Sequence, residues 1–166
     1  MLRKQITYNI RKIKKSEYPV LETFLYEAIF QRDGEARLPR DIIKKPELQV
    51  YIEAFGKPSD LCLVAENDTG IVGCVWTRII TGKIRGYGNI DNKTPEFAIS
   101  ILKDFRGLGI GTALMKAMLE LLKEHGYEKT SLAVQKDNPA VKLYKKVGFQ
   151  IRDERKEEFL MCCNLN

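Results

Sequence analysis

Gly107, Gly109 and Gly111 stand on alternate positions between an apolar stretch, residues 94–102, and a strongly periodic one that runs to His125. Glycines at the entry to a helix expose backbone N–H groups that no carbonyl inside the helix can reach, and the positive end of the helix dipole lies behind them. Such a turn suits the oxygens of a phosphate ester. The same residues also suit a tight strand-to-helix connection whose glycines only supply positive φ angles. Two nucleotide motifs are excluded. A dinucleotide fingerprint needs G-x-G-x-x-G and an acidic residue ending the next strand, but here the spacing is G-x-G-x-G and that strand ends near Val134 and Gln135. A Walker-type loop needs Gly-Lys-Ser/Thr, which the chain lacks.

The flanking elements are legible from periodicity. Phe97, Ile99 and Ile101 share one face of a strand, and Ala98, Ser100 and Leu102 share the other. Ile110, Ala113, Leu114, Ala117, Met118, Leu121 and Leu122 fall on one helix stripe, which Gly126 ends. Upstream, residues 5–13 alternate as a first strand. Ser16 reads as an N-cap, with Pro19 in the first turn of a helix whose stripe is Leu21, Phe24, Leu25, Ala28 and Ile29. Residues 31–45 read as a polar loop. Pro46 opens a second helix carrying Leu48, Tyr51, Ile52 and Phe55, stopped by Gly56. Segments 61–66 and 71–79, joined by Asn67-Asp68-Thr69-Gly70, form an antiparallel hairpin.

Residues 81–94 hold three glycines and little apolar pattern, so a long mobile loop is expected there, of a kind that commonly carries function. Downstream come a short buried strand at 130–134, a helix opened by Asn138-Pro139 and closed by Gly148, and a final hairpin over 149–155 and 157–165. This order implies one α/β (α+β) domain over 1–166, with a mixed sheet covered by helices on both faces. The strands at 94–102 and 130–134 are joined by a helical crossover, so they should run parallel.

Composition narrows the setting. The 166 residues are 44% hydrophobic and 30% charged, as in a soluble globular domain long enough to bury a core. No apolar run approaches the roughly 18 residues that span a bilayer, and the basic N-terminus lacks the apolar core of a signal peptide. The expected location is cytoplasmic, without membrane contact. Cys62, Cys74, Cys162 and Cys163 form no C-x-x-C pair, and His125 is the only histidine, so buried reduced thiols and no metal site are expected. The net charge of +6 favours anionic partners. It is partly front-loaded on Arg3, Lys4, Arg11, Lys12, Lys14 and Lys15, which read as a solvated strand edge. No aromatic-interleaved basic patch points to nucleic acid. The C-terminal strands could offer an apolar edge to a homodimer.

The motif R-x-x-G-x-G is matched by Arg106, Gly109 and Gly111, and NPAVKLYKKVGF follows at 138–149. Together, in this element order, they resemble the GCN5-related N-acetyltransferase (GNAT) family from about residue 60 onward. The resemblance implies an enzyme that moves an acetyl group from acetyl-CoA directly to a primary amine, on a mostly antiparallel sheet with one splayed parallel strand pair. It implies that the backbone N–H groups of Gly107, Leu108, Gly109, Ile110, Gly111 and Thr112, in the turn led by Arg106, hold the CoA pyrophosphate. It further implies that the backbone of Ile99, Ser100 and Ile101 pairs with the pantetheine arm and that the Asn138 side chain touches the cofactor. Asn138 also reads as an N-cap before Pro139, and the two roles are compatible.

Tyr144 matches the tyrosine that reprotonates the departing thiolate, a role open to a phenol of pKa about 10; the alternative is a core tyrosine on an apolar helix face. Glu96 is the leading base for the attacking amine, against a solvated strand-end carboxylate, with Asp91 and Glu35 as weaker candidates. The pattern is departed from three times. Lys103 replaces a frequent proline, and the Asn138–Tyr144 spacing is one residue short, so that Asp137 could share the asparagine's place. Ala133 stands where enzymes acetylating ribosomal-protein N-termini carry a glutamate, which argues against that substrate. A catalytically silent acyl-CoA-binding module is the alternative, although such a module needs neither Tyr144 nor Glu96.

Overall fold

The computed structural model describes residues 6–166. Arg3 and Lys4 of the basic N-terminal run, and Gln5 at the start of the expected first strand, lie outside these residues. Seven strands form one sheet: β1 (Asn9–Lys12), β2 (Leu61–Asn67), β3 (Gly70–Arg78), β4 (Glu96–Ile101), β5 (Lys129–Gln135), β6 (Phe149–Glu154) and β7 (Glu158–Asn164). Their spatial order is β1-β2-β3-β4-β5-β7-β6, and every neighbouring pair is antiparallel except β4 and β5. The helices are α1 (Val20–Ala28), α2 (Pro46–Gln49), α3 (Ile110–Glu124) and α4 (Ala140–Val147).

Strand alternation divides the core into two layers. On one side Leu63, Val75 and Phe97 meet Leu114, Met118 and Leu122 of α3 and Val141 of α4. On the other, Val64, Cys74 and Trp76 meet Leu21, Phe24 and Leu25 of α1. The sheet is therefore mixed and covered on both faces, as the sequence implies. All four cysteines are free thiols, and Cys62 and Cys74 lie with their sulfurs 3.3 Å apart in the second layer. Among the described residues no helix is long and apolar enough to cross a membrane.

Several local expectations are corrected. Ser16 does not cap α1; it sits in a 3-10 turn, Lys15–Glu17, because the Glu17 carboxylate accepts the Lys14 N–H and binds the Arg11 guanidinium. Glu66 takes the same guanidinium, so Arg11 is paired rather than free. Residues 31–45 include a 3-10 turn, Arg40–Lys44. The helix opened by Pro46 lasts one turn and gives way to irregular turns up to Ala54, whose φ is +50°. There the carbonyls of Val50 and Glu53 are drawn onto the Arg78 guanidinium instead of continuing a helix. The edge strand β6 is polar, with Ile151 its exposed apolar side chain, so the C-terminal hairpin offers no apolar edge.

Arg78 and Asp60 form a buried ion pair, their side chains 4% and 1% exposed, with contacts of 3.2 and 2.8 Å. This pair fastens the segment after α2 to β3. Asp60→Ala leaves a buried guanidinium without its counter-charge and should cost about 3–5 kcal/mol in urea unfolding. The double variant with Arg78→Met should cost less than the sum of the single changes.

Candidate active site

Strands β4 and β5 pair at one point, Glu96 with Ser131, and then diverge. Pro95 anchors the junction, its carbonyl accepting the Ser131 N–H at 3.2 Å and the Thr130 hydroxyl at 2.8 Å. This direction fixes the rest of β4. Alternate residues face the same neighbour, so Phe97, Ile99 and Ile101 turn their backbone groups toward β5, while Ala98 and Ser100 turn theirs to β3. Beyond the junction Ile99 faces an open gap. The Ile101 carbonyl accepts the Arg106 Nε–H at 2.8 Å. Ser100 is excluded as a backbone partner for a ligand in this gap: it pairs with Cys74, and its hydroxyl donates to the Phe24 carbonyl at 2.6 Å.

The glycine turn closes the C-terminal end of the gap. Gly107 and Gly109 have φ of +74° and +86°, in the left-handed region that favours glycine. Gly111 has no positive φ; a Cβ there would stand 3.8 Å from the Ile101 and Leu143 side chains. Ala113 is the first residue of the helix entry whose N–H reaches a carbonyl, that of Gly109. Among the described residues the six N–H groups of Gly107 to Thr112 have no backbone partner. Arg106 points away from them, its guanidinium on the Ile101 carbonyl and on Glu27 of α1.

At the other end the gap widens into a cavity of about 500 Å³. Glu96, Ile99, Asn138 and Tyr144 all line it, so the structure brings together four of the residues singled out in sequence. Asn138 caps α4, its Oδ1 accepting the Ala140 N–H at 2.9 Å, which leaves its amide N–H groups available. Tyr144 stacks at a tilt on Phe149, and burial pushes its phenol up to about 12. Asp137 instead pairs with Arg32 across the mouth. Asp91 is occupied in a turn, accepting the N–H groups of Lys93 and Thr94, and Glu35 is exposed and does not line the cavity.

Glu96 is the unusual group. It is 2% exposed, and neither carboxylate oxygen has a hydrogen-bond partner among the described residues. Burial raises its pKa to about 7, against weaker opposing influences from the Gly88 amide, which is near but not aligned to bond, and from Arg155. Gly86 lies directly against it, since a Cβ there would overlap the carboxylate at 1.7 Å. Gly88 lies on β5, where a Cβ would stand 2.9 Å from the Leu132 Cα.

The sequence reading missed Tyr51 and Tyr87. The Tyr51 hydroxyl accepts the Tyr87 N–H at 2.8 Å, and burial and the Glu96 charge raise its pKa strongly. Nothing in the apolar stripe expected after Pro46 separates Tyr51 from a core residue, whereas Tyr87 is flanked by the two glycines that let its loop approach Glu96. That loop is tied down rather than loose: Ser131 donates to the Gly88 carbonyl at 2.6 Å and Arg155 to the Tyr87 carbonyl at 2.7 Å.

The profile of the Acetyltransferase (GNAT) family matches residues 21–149. The N-alpha-acetyltransferase of Sulfurisphaera tokodaii is 38% identical over 104 residues, which cover 60% of this chain and 62% of that protein. The mycothiol acetyltransferase of Clavibacter sepedonicus is 30% identical over 99 residues, 59% of this chain and 29% of that protein. The chain thus spans under two thirds of the length of either relative. The PaiA N-acetyltransferase of Thermoplasma acidophilum, solved in complex with coenzyme A, has the same fold. Its TM-score is 0.67 at 19% identity, covering 96% of this chain and 99% of that one.

The buried carboxyl predicts a stability signature. Glu96 titrates near 4.5 in the unfolded chain and near 7 in the native state, so between these values the native state holds more protons. Stability should therefore fall as pH rises from about 4.5 through 7, by on the order of 3 kcal/mol. In thermal unfolding at a series of pH values, Glu96→Gln should lack this loss and exceed the wild type in stability at pH 8. Parallel curves for the two proteins would mean that the carboxyl is solvated.

Proposed function

The chain belongs to the acetyltransferase (GNAT) family, and from that premise we propose that it transfers an acetyl group from acetyl-CoA directly to a primary amine. The observation that carries this reading is Glu96: a buried carboxyl with two unpartnered oxygens, at the point where two strands part. An amine supplies the N–H donors those oxygens lack. The unpartnered amides of Gly107 to Thr112 suit a pyrophosphate, with the α3 dipole behind them. The open backbone of Ile99 and the N–H of Ile101 suit an amide-bearing arm laid along β4. The Asn138 amide nitrogen is free to contact the same ligand.

When bound, acetyl-CoA supplies a thioester, an acyl group already activated for attack. The residues of this chain handle protons and position. An amine near pKa 10 arrives protonated at neutral pH and must lose a proton before it can attack. Glu96, titrating near 7, is charged in about half the molecules at neutral pH and takes that proton. The Tyr144 O–H, held on the proton by burial, donates to the sulfur as the C–S bond breaks. A phenol near 12 is a weak acid, but a thiolate forming against the same apolar wall is made more basic by the same loss of solvation. Burial raises the Cys74 and Cys163 thiols of this chain in that way.

Two measurements test the assignment. Acetyl-CoA should protect the protein against thermal unfolding, and thiol release with a primary amine should show kcat/KM rising with pH through about 7. Glu96→Gln should abolish that inflection. Tyr144→Phe should lower turnover roughly a hundredfold while keeping the thermal protection. Full activity of Tyr144→Phe across pH would remove the proton-donor role. Protection without thiol release for any amine would favour a silent binding module.

A further inference from the structure

The cavity runs against the charge of the chain. The protein carries a net charge of +6, yet its cavity is lined by four carboxylates, Glu47, Glu96, Glu157 and Glu158, and only two cations, Arg32 and Lys45. Arg32 is already neutralised by Asp137. Glu158 is paired with Arg155 at 2.6 Å, and Arg155 also holds the Tyr87 carbonyl. Glu47, at the start of α2, has no ion-pair partner among the described residues. Its charge reaches the Tyr87 hydroxyl, as does that of Glu158. Tyr87, 46% exposed, lines the same cavity.

These groups form a continuous line from the buried end of the cavity to its mouth. Glu96 lies at the bottom with both oxygens unpartnered, Tyr51 stands next to it, and Tyr87 is bonded to Tyr51 at the rim. The acidic rim of Glu47, Glu157 and Glu158 thus leads to a buried carboxylate, Glu96, that has no hydrogen-bond partner among the described residues. An exposed aromatic face beside an unpaired carboxylate attracts an ammonium by the ring quadrupole and by the charge together. A carboxylate on the acceptor would be repelled by Glu47 and Glu96, and Lys45 is the one lining cation without an ion-pair partner among the described residues to set against them.

Resting on the acetyl-transfer reading, we infer that the acceptor carries a second cationic group, held at the cavity mouth by Glu47 and the ring of Tyr87 while its amine lies at Glu96. Glu47 is on this view a specificity residue. It selects an alkyl diammonium chain, from a small polyamine or a lysine-bearing peptide, over a monoamine or an amino acid.

Three amines of one length isolate the charge: 1,5-diaminopentane, pentylamine and 5-aminopentanoate, each followed by thiol release from acetyl-CoA. The diamine should have the highest kcat/KM and the amino acid the lowest. Glu47→Gln should lower the ratio of diamine to monoamine roughly three- to tenfold, and added salt should lower it in the wild type. Alanyl-lysine amide, run beside the diamine, separates the peptide source from the small-molecule one. In parallel, thermal unfolding of the CoA-saturated protein should rise with the diamine more than with pentylamine, an excess lost in Glu47→Gln. Thiol release with equal kcat/KM for diamine and monoamine, or a ratio indifferent to Glu47→Gln, overturns the inference and leaves acetyl transfer standing. Diamine protection that depends on Glu47, without thiol release from any amine, keeps the diammonium site but overturns its role as the acceptor site, together with acetyl transfer.

Discussion

The single-point pairing of β4 with β5 is the constraint on which the rest of this structure depends. A backbone amide or carbonyl inside a sheet must be paired with something, and in an ordinary sheet the neighbouring strand supplies the partner. Here the Pro95 carbonyl joins the strands at Ser131, and beyond that point β4 has a partner on its β3 side only. The open side continues into the turn after β4, where six further N–H groups lack backbone partners among the described residues. The fold thus presents an extended row of hydrogen-bonding groups in the middle of a seven-stranded sheet, where a ligand can complete what a strand does elsewhere.

The price of that opening is met by long-range contacts around it. The Arg78–Asp60 pair ties the turns after α2 to β3, and those turns carry Tyr51 to the cavity. The loop before β4 is held by Tyr51, Ser131 and Arg155, each from a different part of the chain. Its two glycines let it close over Glu96, where any side chain at position 86 would overlap the carboxylate. Close covering by backbone is what removes water from Glu96, and removal of water is what brings a carboxyl to neutrality near pH 7. The tuning of the carboxyl therefore depends on the absence of side chains at two positions.

Much of the fold was legible because its signals are local. Apolar segments at 61–66 and 71–79 around a turn, and the two-faced stretch at 94–102, defined strands, and the three-and-four spacing after Gly109 defined α3. Failures occurred where a distant group captured a local one. Glu17, held by Arg11, displaced Ser16 as a cap. Arg78 drew the carbonyls of Val50 and Glu53 and cut α2 to one turn. The loop at 81–94 looked loose because its anchors lie outside its own sequence.

The same division holds at the site. Sequence alone determined the glycine turn, the strand before it and the NPAVKLYKKVGF helix, because left-handed glycines, strand alternation and helix capping are properties of neighbouring residues. It also named Glu96 and Tyr144 as groups able to move protons. Only the tertiary structure decided that Glu96 is buried without a partner, that Ser100 faces away from the gap, and that Arg106 serves Ile101 and Glu27. It alone brought Tyr51, Tyr87 and Glu47 to one cavity. Burial and pairing are set by segments far apart in the chain, and a carboxylate's neighbours, rather than its own position, decide whether it holds its proton.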